Sequence, residues 1–470
     1  MRILLPTGAA TAEIVKTASA GFDADVVVTG AIASFLTPHT LRALLAKKKY
    51  DLALVSGMCT ASFEQVEHET SVPVYRGPRH AADLALVLPL LGTVTLSRTV
   101  PADAFLAAKK ADEAMHRVAE MERAAGFDFM IRGTKIGGGS RMKVLAEIMD
   151  AHRHDDIRER VERFFSSGAD IVDLGFGFDA TPADVNRVFS LLDGIECPLA
   201  VDTQDPALIR AALLRADIVL SLHDGNIPKV GGEVAKAGVA AVVVPGTRTL
   251  RQNIARAKRA GIACIIADPL LQPVGSGLVS SLAQFKPTGY PLFFGAGNVI
   301  ELLDADSIGT TAVLAGMAQE TGASVIFTSE HSDKTQGAVR EMRRATEMMV
   351  LAADRPYPKD LGIDLLSLKE KRRRREPPLE YETVMSAQAM PEEITYDPKG
   401  NFRIGIEGDQ IVAVINGRAV KGKRWQDVLH TILSHGNVTL LDHAGYLGRE
   451  LYKAELAIRY GRSFEQDGEF

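Results

Sequence analysis

The sequence predicts an α/β protein whose central part is a (β/α)8 barrel, also called a TIM barrel. Two observations lead to this fold class: strand-like and helix-like segments alternate, and they do so eight times between Asp128 and Met348. Strands that alternate with helices are typical of parallel βαβ units, and eight such units close a barrel. The eight predicted strands are Phe129–Ile136, Ile171–Gly177, Leu199–Gln204, Ile218–Asp224, Ala241–Gly246, Ala263–Asp268, Leu292–Asn298 and Val325–Glu330.

The chain is longer than one barrel. Its 470 residues exceed the length of about 250 residues that is typical of this fold, so flanking domains are expected. Four short β-branched runs near the N-terminus, each followed by a Gly-containing turn, predict a small open parallel sheet. A lid or a dimer contact is the alternative role for that domain, and we expect a homodimer. The predicted domains are an N-terminal Rossmann-like α/β domain (1–100), a helical linker (101–126), the barrel (127–355), a charged linker (356–392) and a small C-terminal α+β domain (393–470).

Composition narrows the class of protein. A net charge of −5 and a pI near 6.2 argue against a general nucleic-acid partner. Cys59, Cys197 and Cys264 show no metal-ligand spacing, which predicts a reduced protein without a bound metal. The run Lys369–Pro378 is interpreted as a solvated linker, with an RNA or phosphate patch as the alternative. Since no signal-peptide pattern or long apolar stretch is present, we expect a cytoplasmic protein with no membrane partner.

Polar residues collect where the predicted strands end, which is where barrel enzymes bind their substrates. A helix N-cap accounts for one Ser, Thr, Asp or Asn in each loop. It does not account for an acid inside the last turn of a strand, as at Asp202 and Asp268. The pattern therefore predicts a polar pocket at this end of the barrel. The candidate residues are Asp173, Asp202, Ser221, His223, Asn226, Asp268, Asn298, Glu330, His331 and Lys334.

The loop after the first predicted strand is different in kind. The segment Arg132–Lys143 holds three consecutive glycines and four cations. Glycines before a helix let backbone N–H groups approach an anion. The loop is therefore a candidate phosphate site, with Lys135 and Arg141 as ligands, although the ending of a Walker A motif is missing. The alternative is a flexible loop with solvated charges.

Three motifs resemble those of dihydropteroate synthase. They are Gly168-Ala-Asp170-Ile-Val-Asp173-Leu-Gly175, Val201-Asp202-Thr203 and Ala267-Asp268-Pro269. In that barrel family similar stretches occupy the same strands in the same order, and the resemblance covers about half of the chain. It implies that Asp202 and Asp268, the candidate catalytic residues, accept hydrogen bonds from the amino-pyrimidine edge of a pterin. A buried carboxylate suits such N–H donors because it is an acceptor only.

The chain departs from that family at three strand ends. Gly297-Asn298-Val299 stands where the family has Ser-Arg-Lys, and the segment Ser329–Lys334 stands where the family has Arg-x-His. Ala180-Thr181-Pro182 replaces Thr-Arg-Pro. These changes indicate a divergent relative with a remodelled substrate end. The whole arrangement resembles the dihydropteroate synthase-related proteins of archaea and C1-using bacteria that make tetrahydromethanopterin.

The resemblance implies a transferase of one-carbon carrier biosynthesis. It would join a 6-hydroxymethyl-dihydropterin diphosphate to an arylamine, ribofuranosylaminobenzene 5'-phosphate, and release diphosphate. Both partners are small molecules, Mg²⁺ is expected with the diphosphate, and no organic cofactor is expected. One alternative is a methyltetrahydropterin–corrinoid methyltransferase, because the helix from His443 resembles a small domain of methanogen proteins related to a corrinoid methyltransferase subunit. His443 is then a cobalt ligand, a helix cap or an ordinary polar residue. The other alternative is a non-catalytic pterin-binding or assembly protein.

Overall fold

The computed structural model describes residues 1–355, 357–369, 381–389 and 395–469. The chain forms two compact units, Met1–Glu370 and Lys371–Phe470. The division lies inside the predicted charged linker. Most of the run Lys369–Pro378 lies outside the described residues. Within the described residues, no helix is both long enough and apolar enough to span a membrane.

The N-terminal domain is an open parallel sheet with helices on both faces. Its elements are β1 (Ile3–Gly8), α1 (Ala12–Ala18), β2 (Ala24–Gly30), α2 (Pro38–Leu45), β3 (Leu52–Val55), α3 (Glu64–Thr70), β4 (Val74–Arg76), α4 (Leu84–Val87) and α5 (Ala102–Ala124). The strand order is β2-β1-β3-β4. Since successive side chains point to opposite faces, Ile3 and Leu5 pack with Val15 of α1 on one side. Leu4 packs with Leu41 of α2 on the other. This is the predicted Rossmann-like arrangement.

The barrel is closed by eight parallel strands in sequence order, β7 to β14. The elements from the end of α5 onward are β5 (Phe129–Ile131), β6 (Thr134–Ile136), β7 (Lys143–Ile148), α6 (Ile157–Ser166), β8 (Ile171–Gly175), α7 (Pro182–Leu191), β9 (Leu199–Asp202), α8 (Pro206–Ala212), β10 (Ile218–Leu222), α9 (Ile227–Ala237), β11 (Ala240–Val243), α10 (Leu250–Arg259), β12 (Ile265–Ala267), α11 (Leu278–Leu282), β13 (Leu292–Phe294), α12 (Ala296–Glu301), α13 (Ser307–Glu320), β14 (Ala323–Ser329) and α14 (Ala338–Leu351). The predicted TIM barrel is confirmed.

One predicted strand is wrong. The segment Phe129–Ile136 is not the first barrel strand but the short antiparallel hairpin β5–β6. The first barrel strand is β7, which pairs with β14 from Lys143 to Glu147 and with β8 from Leu145 to Ile148. The sequence obscured this strand because Lys, Leu, Ala and Glu favour helices. Pairing on both sides overrides that preference.

The hairpin β5–β6 covers the N-terminal end of the barrel. Its Ile131 and Ile136 belong to the core that fills the barrel interior. Arg132, in the turn, donates from Nε to Asp217 Oδ1 at 2.9 Å. Asp217 directly precedes β10, so this contact lies at the amino ends of the strands. The loop that follows the hairpin therefore also lies at the base of the barrel, opposite the C-terminal mouth.

A buried ion network ties the base of the barrel to its last helix. Asp170 accepts hydrogen bonds from Arg141, from Arg343 of α14 and from the backbone N–H of Val144. Burial alone would raise the pKa of Asp170, but the charges of Arg141 and Arg343 outweigh it and hold that pKa below its ordinary value. The side chain of Lys143, at the start of β7, is 2% exposed, and its Nζ lies 2.9 Å from Oε1 of Glu122 in α5.

The C-terminal domain has its own core. It consists of β15 (Arg403–Glu407), β16 (Gln410–Ile415), β17 (Arg418–Gly422), α15 (Trp425–Ser434) and α16 (Leu441–Tyr460). The three strands form an antiparallel sheet in the order β15-β16-β17. Ile411 and Ala413 of the central strand pack against Val428 of α15 and Leu447 of α16. The predicted α+β character of this domain is therefore correct.

We expect Asp170→Asn to lower the free energy of unfolding by about 3–5 kcal/mol, because it leaves buried Arg141 without its counter-charge. Since the folded pKa is depressed, the stabilisation from Asp170 is present above its unfolded pKa and is lost as pH falls. Urea unfolding near neutral pH measures the effect. The matched control is Asp193→Asn, which removes an exposed carboxylate paired with half-buried Arg215 and should cost less than about 1 kcal/mol. Equal losses in the two variants would contradict the prediction.

Candidate functional site at the barrel mouth

Four carboxylic acids face the barrel axis at its C-terminal mouth. Each lies two residues after a member of the core that fills the barrel interior. Because alternate residues of a strand point to the same face, each acid points inward above its core residue. The four pairs of core residue and acid are Leu145 and Glu147, Ile171 and Asp173, Ala200 and Asp202, and Ile266 and Asp268.

The strand register brings three of these acids together. Glu147 of β7 pairs with Asp173 of β8, and Asp202 of β9 lies opposite Gly175 of β8. One carboxylate oxygen from each of the three acids lies within 4.8 Å of the others. Gly175 keeps this space open, since a Cβ there would lie 2.8 Å from Oε1 of Glu147.

The pKa values of the four acids are raised above their ordinary values. Burial, reinforced by the charge of Asp202 nearby, raises the pKa of Glu147 to about 8. Burial raises the pKa of Asp202 to about 6 and that of Asp268 to about 7. Burial also places the pKa of Asp173 well above its ordinary value, and neither of its oxygens has a hydrogen-bond partner. Close carboxylates in a dry site cannot all ionise without a cation or a ligand that donates hydrogen bonds.

None of these four acids forms an ion pair with Lys or Arg in the part of the chain that the structure describes. A cleft of about 390 Å³ opens beside two of them, Glu147 and Asp202. Glu147 and Asp202 contribute its polar wall, and Met149, Phe176 and Leu208 are among its apolar residues. A few polar groups on an apolar wall are typical of a site for a small, flat ligand.

The predicted polar residues at the end of β10 form hydrogen bonds within their own loop. Asn226 is 2% exposed. Its Oδ1 accepts from the backbone N–H of His223 at 2.8 Å, and its Nδ2 donates to the carbonyl of Ser221 at 3.0 Å. His223 Nδ1 accepts from the N–H of Gly225. The amide of Asn226 therefore fixes the shape of this loop beside the mouth.

The predicted residues after β14 are mostly turned to neighbouring helices. Glu330 accepts from the N–H of Val339 at 3.1 Å, in the first turn of α14. Lys334 donates to the carbonyl of Leu303 at 2.5 Å. His331 is exposed. These contacts stabilise the loop, and they do not bring the three residues to the four acids.

Glu301 of α12 organises the same loop and was not found from the sequence. Its carboxylate accepts from the hydroxyls of Ser329, Ser332 and Thr335 at 2.9, 2.5 and 2.8 Å. Burial alone would raise the pKa of Glu301, but these hydroxyl groups lower it below its ordinary value. Asn298, on the same short helix, is exposed. The loop after β14 is thus held to α12 by one ionised acid.

The predicted phosphate loop lies at the base of the barrel, away from the mouth, and its cations Lys135 and Arg141 already contact other groups of the protein. Lys135 Nζ donates to three carbonyls at the C-terminal end of α5, at distances of 2.7 to 3.0 Å. Arg141 is buried against Asp170. The consecutive glycines adopt positive φ angles, for example +61° at Gly138, and make a tight turn whose N–H donates to Asp128.

Sequence analysis missed Glu147 because its strand was not recognised. The signal was available: Glu147 lies two residues after Leu145 and directly before Ile148, as Asp173 lies two residues after Ile171. Once Lys143–Ile148 is read as a strand, the same alternation that predicts Asp173 to face inward predicts Glu147 to do so.

His443 in the C-terminal domain is a buried residue of the first turn of α16. Its Nδ1 lies 3.2 Å from Asp397 Oδ2, and the same carboxylate accepts from the N–H groups of Thr439 and Leu440 before α16. The imidazole ring packs between Phe402 and another aromatic side chain. The N-cap of α16 is Leu440, without a side-chain capping hydrogen bond. His443 is therefore a buried polar residue and neither a helix cap nor an exposed ligand for a cobalt ion.

Comparisons with known proteins show which families and structures the chain resembles. A family model described as PterinBD-DUF4346 matches residues 396–467. The uncharacterized protein MJ0107 of Methanocaldococcus jannaschii is 34% identical over 519 aligned residues, covering 99% of this chain and 98% of that protein. Dihydropteroate synthase of Yersinia pestis is 21% identical, with a TM-score of 0.37 over 48% of this chain and 98% of that chain. The enzyme from Thermus thermophilus is 21% identical, with a TM-score of 0.36 over 44% of this chain and 92% of that chain.

The chain belongs to the same family as the M. jannaschii protein. The family model that matches residues 396–467 carries a pterin-binding name.

We expect Glu147→Gln to stabilise the protein more at alkaline than at acid pH. The folded pKa of about 8 lies above the ordinary 4.5, so the stability that protonated Glu147 contributes is full below the unfolded pKa and is lost as pH rises through about 8. Glutamine never ionises, so thermal unfolding at about pH 9 should show a larger gain than at about pH 5. Exposed Glu162→Gln is the matched control. A gain for Glu147→Gln that does not change with pH would show that the acid is not buried as described.

Proposed function

We propose that the barrel mouth binds a pterin through Asp202 and Asp268 and that the protein is a dihydropteroate synthase-like transferase. The observation that carries the proposal is the set of buried and half-buried acids that have no cationic partner among the described residues. The amino-pyrimidine edge of a pterin presents N–H donors, and a carboxylate is an acceptor only. Hydrogen bonds donated by the ligand favour the ionised carboxylate, which burial disfavours. A pterin therefore supplies the interaction that these acids lack.

The walls of the cleft suit the rest of such a ligand. Phe176, Met149 and Leu208 form an apolar surface next to Asp202, against which a flat bicyclic ring can pack. Phe178, also at the cleft, is fully exposed and is available to a second aromatic substrate. The PterinBD name of the family model supports the same ligand class.

The reaction that we propose joins the two substrates by substitution at carbon. The amine nitrogen of the arylamine forms a bond to the methylene carbon of a 6-hydroxymethyl-dihydropterin diphosphate. The bond from that carbon to the diphosphate oxygen breaks, diphosphate leaves, and the amine loses a proton. Holding the nitrogen, the carbon and the leaving oxygen in line lowers the entropic part of the barrier.

Mg²⁺ with the diphosphate stays a prediction. Mg²⁺ carried by the diphosphate oxygens of the substrate would neutralise charge on the leaving group. The homodimer also stays a prediction.

The choice of ribofuranosylaminobenzene 5'-phosphate as the arylamine, and so of tetrahydromethanopterin biosynthesis as the pathway, is supported by the remodelled strand ends. Thr181, which stands in the place of a family motif residue, caps α7 in a reciprocal capping box with Asp184. The Thr181 side chain is therefore used to cap the N-terminus of α7. The loop with Lys135 lies at the other end of the barrel and lends no support to a phosphate-bearing substrate.

Pterin binding should depend on both acids. Asp202→Asn and Asp268→Asn each replace an acceptor by a group that also donates, which should cost about 2–3 kcal/mol, or roughly thirty- to a hundred-fold in affinity. Calorimetry with a dihydropterin measures this loss. Lys135→Ala, at the base, and exposed Asp193→Asn are controls that should bind like the unchanged protein. Full affinity in both mouth variants would place the pterin elsewhere.

The transferase reaction is tested directly by incubating the full chain with a dihydropterin diphosphate and ribofuranosylaminobenzene 5'-phosphate. We expect a coupled pterin in the mass spectrum, release of diphosphate, and loss of both in Asp202→Asn. Product formed only from p-aminobenzoate would keep the reaction and refute the proposed arylamine. Tight pterin binding without product from either amine would favour the non-catalytic alternative. That alternative is motivated by the lysine that the family has after β13 and the arginine that it has after β14, both of which are missing here.

A further inference from the structure

A second cluster of potential ligands lies at the rim of the cleft, separate from the four acids. Asp150 and His152 follow β7, and Asp179 follows β8. One ligand atom from each of the three residues lies within 4.8 Å of the others. Asp150 and Gly177 border both this cluster and the cleft.

His152 is the unusual member of the cluster. Its side chain is 8% exposed, and neither ring nitrogen has a hydrogen-bond partner. Its Nε2 faces Oδ1 of Asp179 at 3.5 Å, and its ring stacks on Phe176 with 6.2 Å between the ring centroids. A buried imidazole without hydrogen bonds is costly, so a ligand for its nitrogen is expected.

In each of the carboxylates of Asp150 and Asp179, one oxygen faces Arg153 and the other faces Gly177. Arg153 lies 2.8 Å from Oδ2 of Asp179 and 3.7 Å from Oδ2 of Asp150. The two Oδ1 atoms instead converge on Gly177. A Cβ at Gly177 would lie 2.6 Å from Oδ1 of Asp150 and 3.1 Å from Oδ1 of Asp179. The space between the ligand atoms therefore exists because residue 177 has no side chain.

We propose that Asp150, His152 and Asp179 bind one divalent cation of the first transition row, such as Zn²⁺ or Mn²⁺. One imidazole and two carboxylates form a donor set that suits these ions. The ion would compensate the acids together with Arg153, supply the missing partner of His152, and fasten the loops after β7 and β8 at the edge of the cleft. The proposal stands whether or not the cleft binds a pterin, because metal binding is measured without any substrate.

Titration of metal-free, tag-free full-length protein with Zn²⁺ in the calorimeter, and with Mn²⁺ by electron paramagnetic resonance, tests the site. We expect one ion per chain, and His152→Gln and Asp179→Asn should each lower its affinity at least about tenfold, since loss of an outer partner alone costs about 10- to 100-fold. Gly177→Ala should weaken the ion similarly by filling the space, although it removes no ligand. Circular dichroism verifies that each variant is folded.

Two controls separate this site from its surroundings. His154→Gln changes a partly exposed imidazole of the same loop and should leave the affinity unchanged. Glu147→Gln changes the inward-facing acids and should leave it within about threefold, a difference of less than about 1 kcal/mol. Absence of any bound ion, or binding that survives both His152→Gln and Gly177→Ala, would overturn the proposal and leave the cluster with the counter-charge of Arg153.

Discussion

Closure of the barrel through β7 is the constraint on which the site depends. β7 pairs with β14 on one side and with β8 on the other, and only this pairing fixes which of its residues face the axis. With that register, Leu145 joins the interior core and Glu147 comes to lie beside Asp173. A shift of one residue would turn Glu147 outward. The chemistry of the mouth is therefore a consequence of backbone hydrogen bonds at the seam of the barrel.

The mouth concentrates negative groups, whereas the base of the barrel pairs its charges. At the base, Asp170 is bound by two guanidinium groups, and its pKa is depressed. At the mouth, Asp173 and Asp268 are buried and Glu147 is half-buried, all without such partners, and their pKa values are raised. Paired charges hold a fold together, while unpaired buried acids leave interactions that a ligand can complete. This contrast is the physical reason to place binding at the mouth.

Two further groups of polar residues hold neighbouring loops together at the mouth. Glu301 gathers the loop after β14 through three hydroxyl groups, and the cluster around His152 joins the loops after β7 and β8. Between them lies the set of acids that we assign to the pterin. Sequence analysis predicted no metal site, because Asp150, His152 and Asp179 have no recognisable ligand spacing. The three residues meet only because two neighbouring strands deliver their loops to the same edge of the barrel.

The sequence by itself determined the alternation of strands and helices, the three domains with secondary structure of their own, and the inward position of Asp173, Asp202 and Asp268. These follow from local periodicity, because an acid two residues beyond a core residue of a strand faces the same way. Only the tertiary structure decided which segment is the first strand. The residues from Lys143 to Ile148 have no local preference strong enough to outweigh pairing with two neighbours. The same decision moved Lys135 and Arg141 to the base, brought Glu147 to the acids, and buried His152, because each depends on contacts between residues far apart in the chain.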